Sequence, residues 1–379
     1  MAVYLIEIVM IVALSPLARC RISVIKNRKE FKGNDVYLFL VFFMLGLVMA
    51  LRAKSVGTDT FTYYIINQKI RNSYSFEDAL KSSTLSSAPL YVLYSYVLSH
   101  MFDSNQMILM LNSLIICVGF YRFIKKTSTN YIYSSLLFML LTLYFESMNG
   151  MRQFVAIALA LNAFLFLKDD MKSIKGWLIY IEAVLIHTTA IAFLVAIAGM
   201  MFVKKTKNID KIIATTIAIC IGAAVGMRVI VNFVVRIAPQ LAQYIDGKNN
   251  AQFFNNNGSG RVIVLYVVLF FILIFISKCI KNQQQLKNTV DYSFFPSLYF
   301  CTIWGIAFAK NVLICRVLWY FICLFIPFIP NMYKLVLKGN NKKIMYYGTL
   351  LVLWVYCMLH LVEDKSGIIP YITFWSYNG

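Results

Sequence analysis

The residues best suited to chemistry lie in a short polar stretch, residues 145–153, between apolar runs at 131–144 and 154–167. Asn149 is a good helix N-cap, and Arg152 then falls in the first turn of the following helix. Backbone N–H groups at a helix start and a guanidinium group both attract negative charge. The stretch therefore predicts a binding site for an anionic group.

A second polar group, Gly57-Thr58-Asp59, precedes Tyr63 and Tyr64. Asp59 is a carboxylate that could accept a proton or orient a hydroxyl group of a substrate. The alternative is that Gly-Thr-Asp only forms an Asx or ST turn. Both interpretations place the group in a loop, so the sequence leaves them open.

The third group is His187 with Thr188 and Thr189, and Glu182 lies five residues earlier in the same apolar segment. The alternative is that His187 is a core residue whose hydrogen bonds are made within the protein, as is usual for a lone histidine. Ionisable groups within a membrane segment are costly and mark functional sites. We therefore expect His187 and Glu182 to take part in catalysis or binding.

Arginine, and not lysine, recurs at the predicted outer ends of the apolar runs. Arginine stays charged and donates two parallel hydrogen bonds to phosphate oxygens. Several arginines at one face would suit a pyrophosphate, whereas the alternative is that each side chain extends to the lipid headgroups. The set is Arg52, Arg152, Arg228, Arg261 and Arg316.

The elements that position these groups are predicted to be membrane helices. The 379 residues are 60% hydrophobic and 14% charged, with a mean hydropathy of +0.71, whereas a soluble domain is roughly 45–50% apolar and about 25% charged. The predicted fold class is an all-α polytopic integral membrane protein with about 12 transmembrane helices, including re-entrant or half-helices. One membrane domain covers residues 1–379, with outer loops near 54–87 and 236–261.

The net charge of +20 comes from lysine clusters between the apolar runs. This is the positive-inside pattern of cytoplasmic loops and not a nucleic-acid signal. The sequence contains no phosphate-binding P-loop, zinc-protease motif or nucleophile elbow. The eight cysteines are scattered without a C-x-x-C pair, which favours reduced core residues. We therefore expect no cofactor, no metal and no nucleic-acid partner.

The basic loops also predict the topology. Residues 19–32 should be cytoplasmic, which places the N-terminus outside, with residues 2–17 as a retained helix. Lys125 should be cytoplasmic as well, so the short run at 89–102 is predicted to be re-entrant or peripheral. The run at 176–203 has lysines at both ends, which favours a hairpin of two half-helices over one long tilted helix.

The order of these polar groups resembles the EpsG-like branch of the Wzy-type polysaccharide polymerases. The matching residues are Val56-Gly57-Thr58-Asp59 with Tyr63 or Tyr64, Met151-Arg152-Gln153 with Ala156, His187-Thr188-Thr189-Ala190, Gly260-Arg261, Arg316 before Trp319-Tyr320-Phe321 and Pro327, and the tail Ile369-Pro370-Tyr371. Each motif is short, and the resemblance rests on their order and spacing over nearly the whole chain.

The resemblance implies an enzyme of the bacterial plasma (inner) membrane that assembles O-antigen, capsule or exopolysaccharide, with its site facing the periplasm or outside. A growing glycan would pass from undecaprenyl pyrophosphate to a lipid-linked repeat unit by metal-independent glycosyl transfer. The partners would be these lipid-linked donor and acceptor glycans, membrane lipid, a chain-length regulator and a flippase.

The resemblance also implies roles for the polar residues. Arg152 would stabilise the departing pyrophosphate, and either Asp59 or His187 would be the base. The choice between the two bases stays open. The residues expected to bind the pyrophosphate or the glycan are Arg261, Arg316, Thr58, Tyr63, Gln153, Arg228 and Glu182.

Two other functions would use the same arginines. A flippase or transporter of lipid-linked oligosaccharide would bind pyrophosphate during passage, and it should show repeated halves and polar residues at the midplane of many helices. In this sequence the polar residues gather near the predicted outer face, with Glu182 as an exception. An O-antigen ligase would perform almost identical chemistry on another acceptor.

Overall fold

The computed structural model describes residues 1–20, 33–206, 208–226, 236, 262–280, 289–364 and 366–377. In this part of the chain the regular elements are α-helices and short 3-10 helices, with one isolated β-bridge between Arg52 and Thr373. The predicted all-α class is confirmed. Residue contacts group the chain into two compact units, Met1–Ile191 with Tyr347–Gly379, and Ala192–Tyr346. The single membrane domain stays a prediction.

The first unit contains the helices from the N-terminus to residue 186 and most of the last helix. They are α1 (Ala2–Ala13), α2 (Ser15–Arg19), α3 (Gly33–Leu51), α4 (Thr60–Arg71), α5 (Phe76–Ser82), α6 (Pro89–Met101), α7 (Gln106–Thr127), α8 (Tyr131–Leu140), α9 (Leu143–Asn149), α10 (Met151–Asp169) and α11 (Ile174–Ile186).

The second unit contains the helices that follow the short 3-10 helix Thr188–Phe193. They are α12 (Leu194–Lys205), α13 (Ile209–Val225), α14 (Val262–Cys279), a 3-10 helix (Val290–Phe294), α15 (Phe295–Ala307), α16 (Val312–Ile322) and α17 (Phe325–Val336). The last helix, α18 (Gly339–Glu363), begins here and ends in the first unit. Within the second unit α15 is central, since it packs against α12, α13, α14 and α16.

The centre of the first unit is formed by α7, which packs against α3 on one side and α10 on another. Gly119 of α7 lets α10 approach so closely that an added Cβ would lie 2.7 Å from the Cβ of Ala158. The Nδ2 of Asn162 also donates to the carbonyl of Gly119 at 3.0 Å. Small residues at a helix interface permit this close approach of two backbones.

An ion pair shows which ends of α3 and α7 lie together. Nζ of Lys125, in the last turn of α7, is 3.1 Å from Oδ2 of Asp35, in the first turn of α3. The two helices are therefore antiparallel, and Lys125 lies at the same end of the unit as Asp35. This is the arrangement that the lysine pattern requires if residues 89–102 do not cross the membrane.

The run at 89–102 forms α6, which has 13 residues and is therefore about 20 Å long. A span needs about 30 Å, so α6 is too short, and it packs against α4, α5 and α7 instead. This agrees with the predicted peripheral or re-entrant segment.

The run at 176–203 is broken at His187. The helix α11 ends at Ile186, His187 is extended with φ −151° and ψ 114°, and a 3-10 helix follows over Thr188–Phe193. The alternative of one long tilted helix is therefore wrong. Because the two halves belong to different units, the hairpin itself stays a prediction.

The described helices confirm a multi-pass membrane protein but not the count of about 12 spans. Seven segments are long and apolar enough to cross a membrane, or up to nine if each of two bent pairs is one span. Several apolar runs form helices that are too short, such as α11 and α15 with 13 residues each. The seven are Ala2–Arg19, Gly33–Leu51, Gln106–Thr127, Met151–Asp169, Thr188–Lys205, Val262–Cys279 and Gly339–Glu363.

The bent pairs are α8 with α9, at 52°, and α16 with α17, at 48°. In the first pair the bend lies at Thr142, whose φ of +62° is in the left-handed region. A residue in that region cannot continue a right-handed helix. The bend therefore separates α9 from α8, so the polar stretch in α9 runs in a different direction from α8.

The contact of Gly119 with Ala158 makes a prediction about stability. Gly119→Val should lower the thermal midpoint of the purified protein, because overpacking between α7 and α10 costs about 1–3 kcal/mol. Gly348→Val is the matched control, since nothing lies within 4 Å of its Cβ position in α18. Intrinsic fluorescence during heating in detergent measures both midpoints. Equal midpoints would show that the two helices do not approach this closely.

Candidate functional site

The side chain of Asn149 joins the loop at residues 57–59 to the start of α10. Its Oδ1 accepts hydrogen bonds from Oγ1 of Thr58 at 2.7 Å and from the N–H of Asp59 at 2.9 Å. The prediction that Asn149 is the N-cap of α10 is wrong, because Asn149 is the last residue of α9 and Gly150 takes the N-cap position. Gly150 makes the turn between the two helices, and the Asn149 amide therefore serves a distant segment.

Two helix N-termini meet at this contact. The helix α4 begins at Thr60, directly after Asp59, and α10 begins at Met151. Helix N-termini carry partial positive charge, so their junction favours an anion. Asp59 occupies the N-cap position of α4, but its side chain does not cap the helix.

Gly57 is required by the shape of the loop. Its φ of +101° is one that L side chains rarely adopt, and a Cβ would lie 2.6 Å from Oγ1 of Thr60 and 3.1 Å from the carbonyl oxygen of Met148. Oγ1 of Thr60 donates to the carbonyl of Val56 at 2.8 Å. The N–H of Thr60 donates to the carbonyl of Gly57 at 3.1 Å, so the loop is a backbone turn that lies directly against α9. The Asx or ST turn considered for the sequence stays a prediction.

The C-terminal tail holds the same loop by backbone hydrogen bonds. The N–H of Gly57 donates to the carbonyl of Gly367 at 2.7 Å, and the N–H of Thr58 donates to the carbonyl of Ser366 at 3.0 Å. The loop is thus held by Asn149 and by the tail. Backbone contacts of this kind fix the position of Asp59, which follows directly.

Arg152 lies in the first turn of α10, half-buried against an aromatic ring. Its guanidinium carbon is 5.6 Å from the ring centroid of Tyr91, and the ring of Tyr91 is 6.3 Å from that of Tyr63. The Nε and Nη1 atoms of Arg152 are buried and make no hydrogen bond within the described part of the chain. A buried donor without a partner costs about 1–3 kcal/mol, so this guanidinium is suited to bind an anion.

The structure therefore brings four predicted site residues together around Asn149 and Tyr91. Gln153 follows Arg152 in α10 and is buried, with only 4% of its surface exposed. Its role in substrate binding stays a prediction. The four residues brought together are Thr58, Asp59, Tyr63 and Arg152.

His187 lies at the Arg152 end of a helix pair. Gly176, near the start of α11, packs against Leu167, near the end of α10, so the two helices are antiparallel and α11 ends near the level where α10 begins. Nδ1 of His187 is 2.7 Å from Oγ1 of Thr189. The catalytic role of His187 stays a prediction.

The other predicted binding residues belong to the second unit, to α11 or to stretches outside the described residues. Arg316 belongs to the second unit, where its guanidinium carbon is 6.0 Å from the ring centroid of Trp319. Glu182 is exposed on α11. Arg228 and Arg261 lie outside the residues that the structure describes. The binding roles of these four residues stay predictions.

Arg52 is fully buried, which its position in the sequence does not reveal. Its Nη1 donates to the carbonyl of Met49, and its Nη2 donates to the carbonyl of Met148 at 3.0 Å. Burial lowers the pKa of Arg52 to about 10, so the side chain is still protonated at neutral pH. With 0% of its surface exposed, Arg52 reaches neither lipid headgroups nor a bound ligand, and it serves instead to join α3 to α9.

A second polar contact lies behind the loop. Nε2 of His360 is 3.5 Å from Oε1 of Glu146, and Oγ of Ser366 donates to the same oxygen at 3.3 Å. Ser366 is the residue whose carbonyl holds Thr58. The pair therefore supports the tail where the tail holds the loop. Glu146 and His360 each stand out in the sequence as an ionisable residue in apolar surroundings, but no local pattern predicts that they form a pair.

The described residues contain no group of three or more His, Cys, Asp or Glu side chains that could hold a metal ion. The expected metal-independent chemistry stays a prediction. All eight cysteines are free, which agrees with their scattered positions in the sequence.

The double hydrogen bond of Asn149 makes a prediction about the loop. Asn149→Ala should increase hydrogen exchange at residues 57–60, because each lost bond that leaves a buried donor costs about 1–3 kcal/mol. Asn162→Ala is the matched control, since its Nδ2 holds only the helix carbonyls of Gly119 and Ala158. Mass spectrometry of the exchanged peptides measures the effect. Unchanged exchange in Asn149→Ala would mean that the tail alone holds the loop.

The model of the EpsG family matches residues 35–373, which is nearly the whole chain. The matched range contains the loop at 57–59, the junction at Asn149, Arg152 and the Glu146–His360 pair. No curated protein and no solved structure matches the chain.

Proposed function

Because the chain belongs to the EpsG family, we propose that it is an exopolysaccharide polymerase of the Wzy-like type. Two findings support this assignment: the family match over nearly the whole chain, and the multi-pass helical architecture. The finer proposal is that a growing glycan passes from a lipid pyrophosphate carrier, undecaprenyl pyrophosphate in bacteria, to a lipid-linked repeat unit. The reaction takes place at the outer face of the plasma membrane.

The observation that carries the proposal is the environment of Arg152. Two of its nitrogen atoms are buried without a hydrogen-bond partner in the described residues, and its charge lies over the ring of Tyr91. A pyrophosphate oxygen supplies the missing acceptors, and a guanidinium can bind it through two parallel hydrogen bonds. The start of α10 adds backbone N–H groups directed at the same anion.

The proposed reaction breaks the bond between C1 of the donor sugar and the oxygen of the lipid pyrophosphate. A hydroxyl oxygen of the acceptor sugar forms the new bond to C1, and its proton passes to a base. The lipid pyrophosphate leaves with the bonding electrons and gains negative charge. Arg152 stabilises that charge, and an interaction that strengthens as the charge develops lowers the barrier.

We favour Asp59 over His187 as the base. The Asn149 side chain holds the backbone of Asp59 at 2.9 Å, and Asn149 lies three residues before Arg152 in the chain. The proposed base, Asp59, and the proposed anion-binding residue, Arg152, thus both lie next to the contact that Asn149 makes. Arg316, Arg261 and Arg228 complete the proposal as further contacts to the pyrophosphate or the glycan, together with Thr58, Tyr63, Gln153 and Glu182.

The test is an elongation assay with the purified protein in nanodiscs and lipid-linked repeat units. A polymerase gives a ladder of products that differ by one repeat unit. A flippase gives no ladder and instead moves labelled lipid between the leaflets of a proteoliposome. A ligase transfers a finished glycan to another acceptor once and also gives no ladder. Either of the last two results would overturn the polymerase assignment.

The role of Arg152 predicts a loss of activity without a loss of fold. Arg152→Lys keeps the charge but loses the forked geometry, so the elongation rate should fall by about 100-fold or more. Arg122→Lys is the matched control: its guanidinium also lies over an aromatic ring, 4.9 Å from the centroid of Phe166. Phe166 is near the other end of α10, about 20 Å away. Full activity of Arg152→Lys would show that Arg152 does not bind the pyrophosphate through two parallel hydrogen bonds.

The role of Asp59 predicts that Asp59→Asn abolishes elongation, because an amide cannot take the proton of the acceptor hydroxyl. Asp78→Asn is the control, since Asp78 is a partly exposed residue in the first turn of α5. His187→Gln is measured in the same assay. Elongation that survives in Asp59→Asn but is lost in His187→Gln would assign the base to His187 instead.

A further inference from the structure

A cleft of about 330 Å³ opens in the first unit, on the side of α4 away from the tyrosine pair at Arg152. Its walls come from α4, from residues 103–106 before α7, from residues 53–54, and from the C-terminal tail. The volume lies within the range of small-ligand pockets, about 300–1,000 Å³. The cleft can therefore take a short segment of a chain molecule and not only solvent.

The helix α4 separates this cleft from the candidate site. Tyr63 lies near the ring of Tyr91 and therefore faces Arg152. Tyr64 and Arg71, which are seven residues apart and so share a helix face, line the cleft. Consecutive residues of a helix point about 100° apart, so one side of α4 serves the transfer site and the neighbouring side serves the cleft.

The tail forms the other wall because it pairs with the end of α3. The N–H of Ala53 donates to the carbonyl of Ile372 at 2.8 Å, and the N–H of Phe374 donates to the carbonyl of Leu51 at 2.9 Å. This pairing places the rings of Phe374 and Tyr377 at the cleft, where both remain partly exposed, at 39% and 36%. The wall is thus aromatic and accessible.

The floor of the cleft carries amides. The hydroxyl of Tyr64 donates to Oε1 of Gln106, whose Nε2 donates to the carbonyls of Ala50 at 2.6 Å and Arg52 at 3.0 Å. Asn105 also lines the cleft, and its Oδ1 accepts from Nδ2 of Asn67 at 2.8 Å. These bonds fix the floor in place and leave Asn105 with its own amide donors.

The charged residues of the cleft do not form an anion site. Nη1 and Nη2 of Arg71 donate to the carbonyls of Asp103 at 2.8 Å and Phe102 at 3.1 Å. Nζ of Lys54 lies 5.2 Å from the ring centroid of Tyr377. The two terminal nitrogens of Arg71 and the Lys54 ammonium are thus engaged by protein groups, Nε of Arg71 has no partner in the described residues, and Asp103 adds an opposite charge. A ligand with many hydroxyl groups and apolar C–H faces fits this lining better than a phosphate.

We propose that this cleft is a glycan subsite that holds a short segment of the growing polysaccharide beside the transfer site. The proposal rests on the polymerase function proposed above. The rings of Tyr64, Phe374 and Tyr377 contact the C–H faces of sugar rings, and the amide of Asn105 and the carboxylate of Asp103 bond to sugar hydroxyls. A chain that is held there stays near the site between transfers, so the subsite makes elongation processive.

Tyr377→Ala tests the subsite, with Trp375→Ala as the matched control. Trp375 is the next aromatic residue of the tail, is 61% exposed and does not line the cleft. In the elongation assay Tyr377→Ala should at least halve the modal product length relative to Trp375→Ala. Trp375→Ala should give the wild-type ladder. Equal ladders for Tyr377→Ala and wild type would overturn the proposal.

A binding measurement separates the subsite from the polymerase function. The probes are oligosaccharide fragments of the exopolysaccharide that the source cells secrete and, separately, glycerophosphoglycerol as a lipid-headgroup analogue. The fragments should bind about three- to tenfold more weakly to Tyr377→Ala than to wild type, as the loss of one aromatic contact predicts. No difference, or binding of the headgroup analogue alone, would overturn the subsite. If the wild-type protein binds the fragments but makes no ladder, only the polymerase assignment is overturned.

Discussion

The arrangement of the first unit depends on one carbonyl group, that of Met148 near the end of α9. It accepts a hydrogen bond from Nη2 of Arg52 at 3.0 Å and a longer one from Oγ1 of Thr60 at 3.4 Å. Gly57 lies so close that a Cβ would approach the same oxygen at 3.1 Å. The end of α3, the start of α4 and the end of α9 therefore meet at one atom, directly before the residue that carries the bonds to the loop.

Helix electrostatics explain why a fully buried arginine is tolerated at this point. Arg52 donates to carbonyls in the last turns of α3 and α9, and both helix ends carry partial negative charge. An isolated buried cation is costly, but here the carbonyl groups at the negative ends of two helix dipoles accept its hydrogen bonds. The cation therefore holds two helix C-termini together without a carboxylate partner in the described residues.

The two helices that begin next, α4 and α10, carry the opposite partial charge at their starts. Arg52 bonds to the C-terminal ends, whereas the two N-terminal ends meet at the Asn149 contact. This separation of charge follows from chain order, because each break in the helices places a C-terminus next to the following N-terminus. An anion beside Arg152 thus lies at the start of α10 and next to a guanidinium. The opposing helix ends are held by a buried charge.

Local sequence patterns predicted the parts of this site but not its connections. Arg152 at a helix start and the Gly-Thr-Asp turn follow from residue type and spacing. The role of Asn149 does not, because an asparagine before a helix is normally its N-cap, and only the fold shows that Gly150 replaces it. The Glu146–His360 pair joins residues from α9 and α18, so no window of sequence contains both. The described residues do not confirm the span count of about 12 for a related reason: an apolar run can bend or end early, and its length in sequence is then not the length of a straight helix.

The C-terminal tail couples the two halves of the proposed machinery. At Ser366 and Gly367 it holds the loop that carries Asp59, and at Phe374 and Tyr377 it forms a wall of the cleft. Between these points the tail pairs with the end of α3 through Ile372. A displacement of the tail would therefore change the position of the loop and the width of the cleft together. Glycan held in the cleft thus contacts the same segment that positions the proposed base, and this gives the chain a physical route from glycan binding to catalysis.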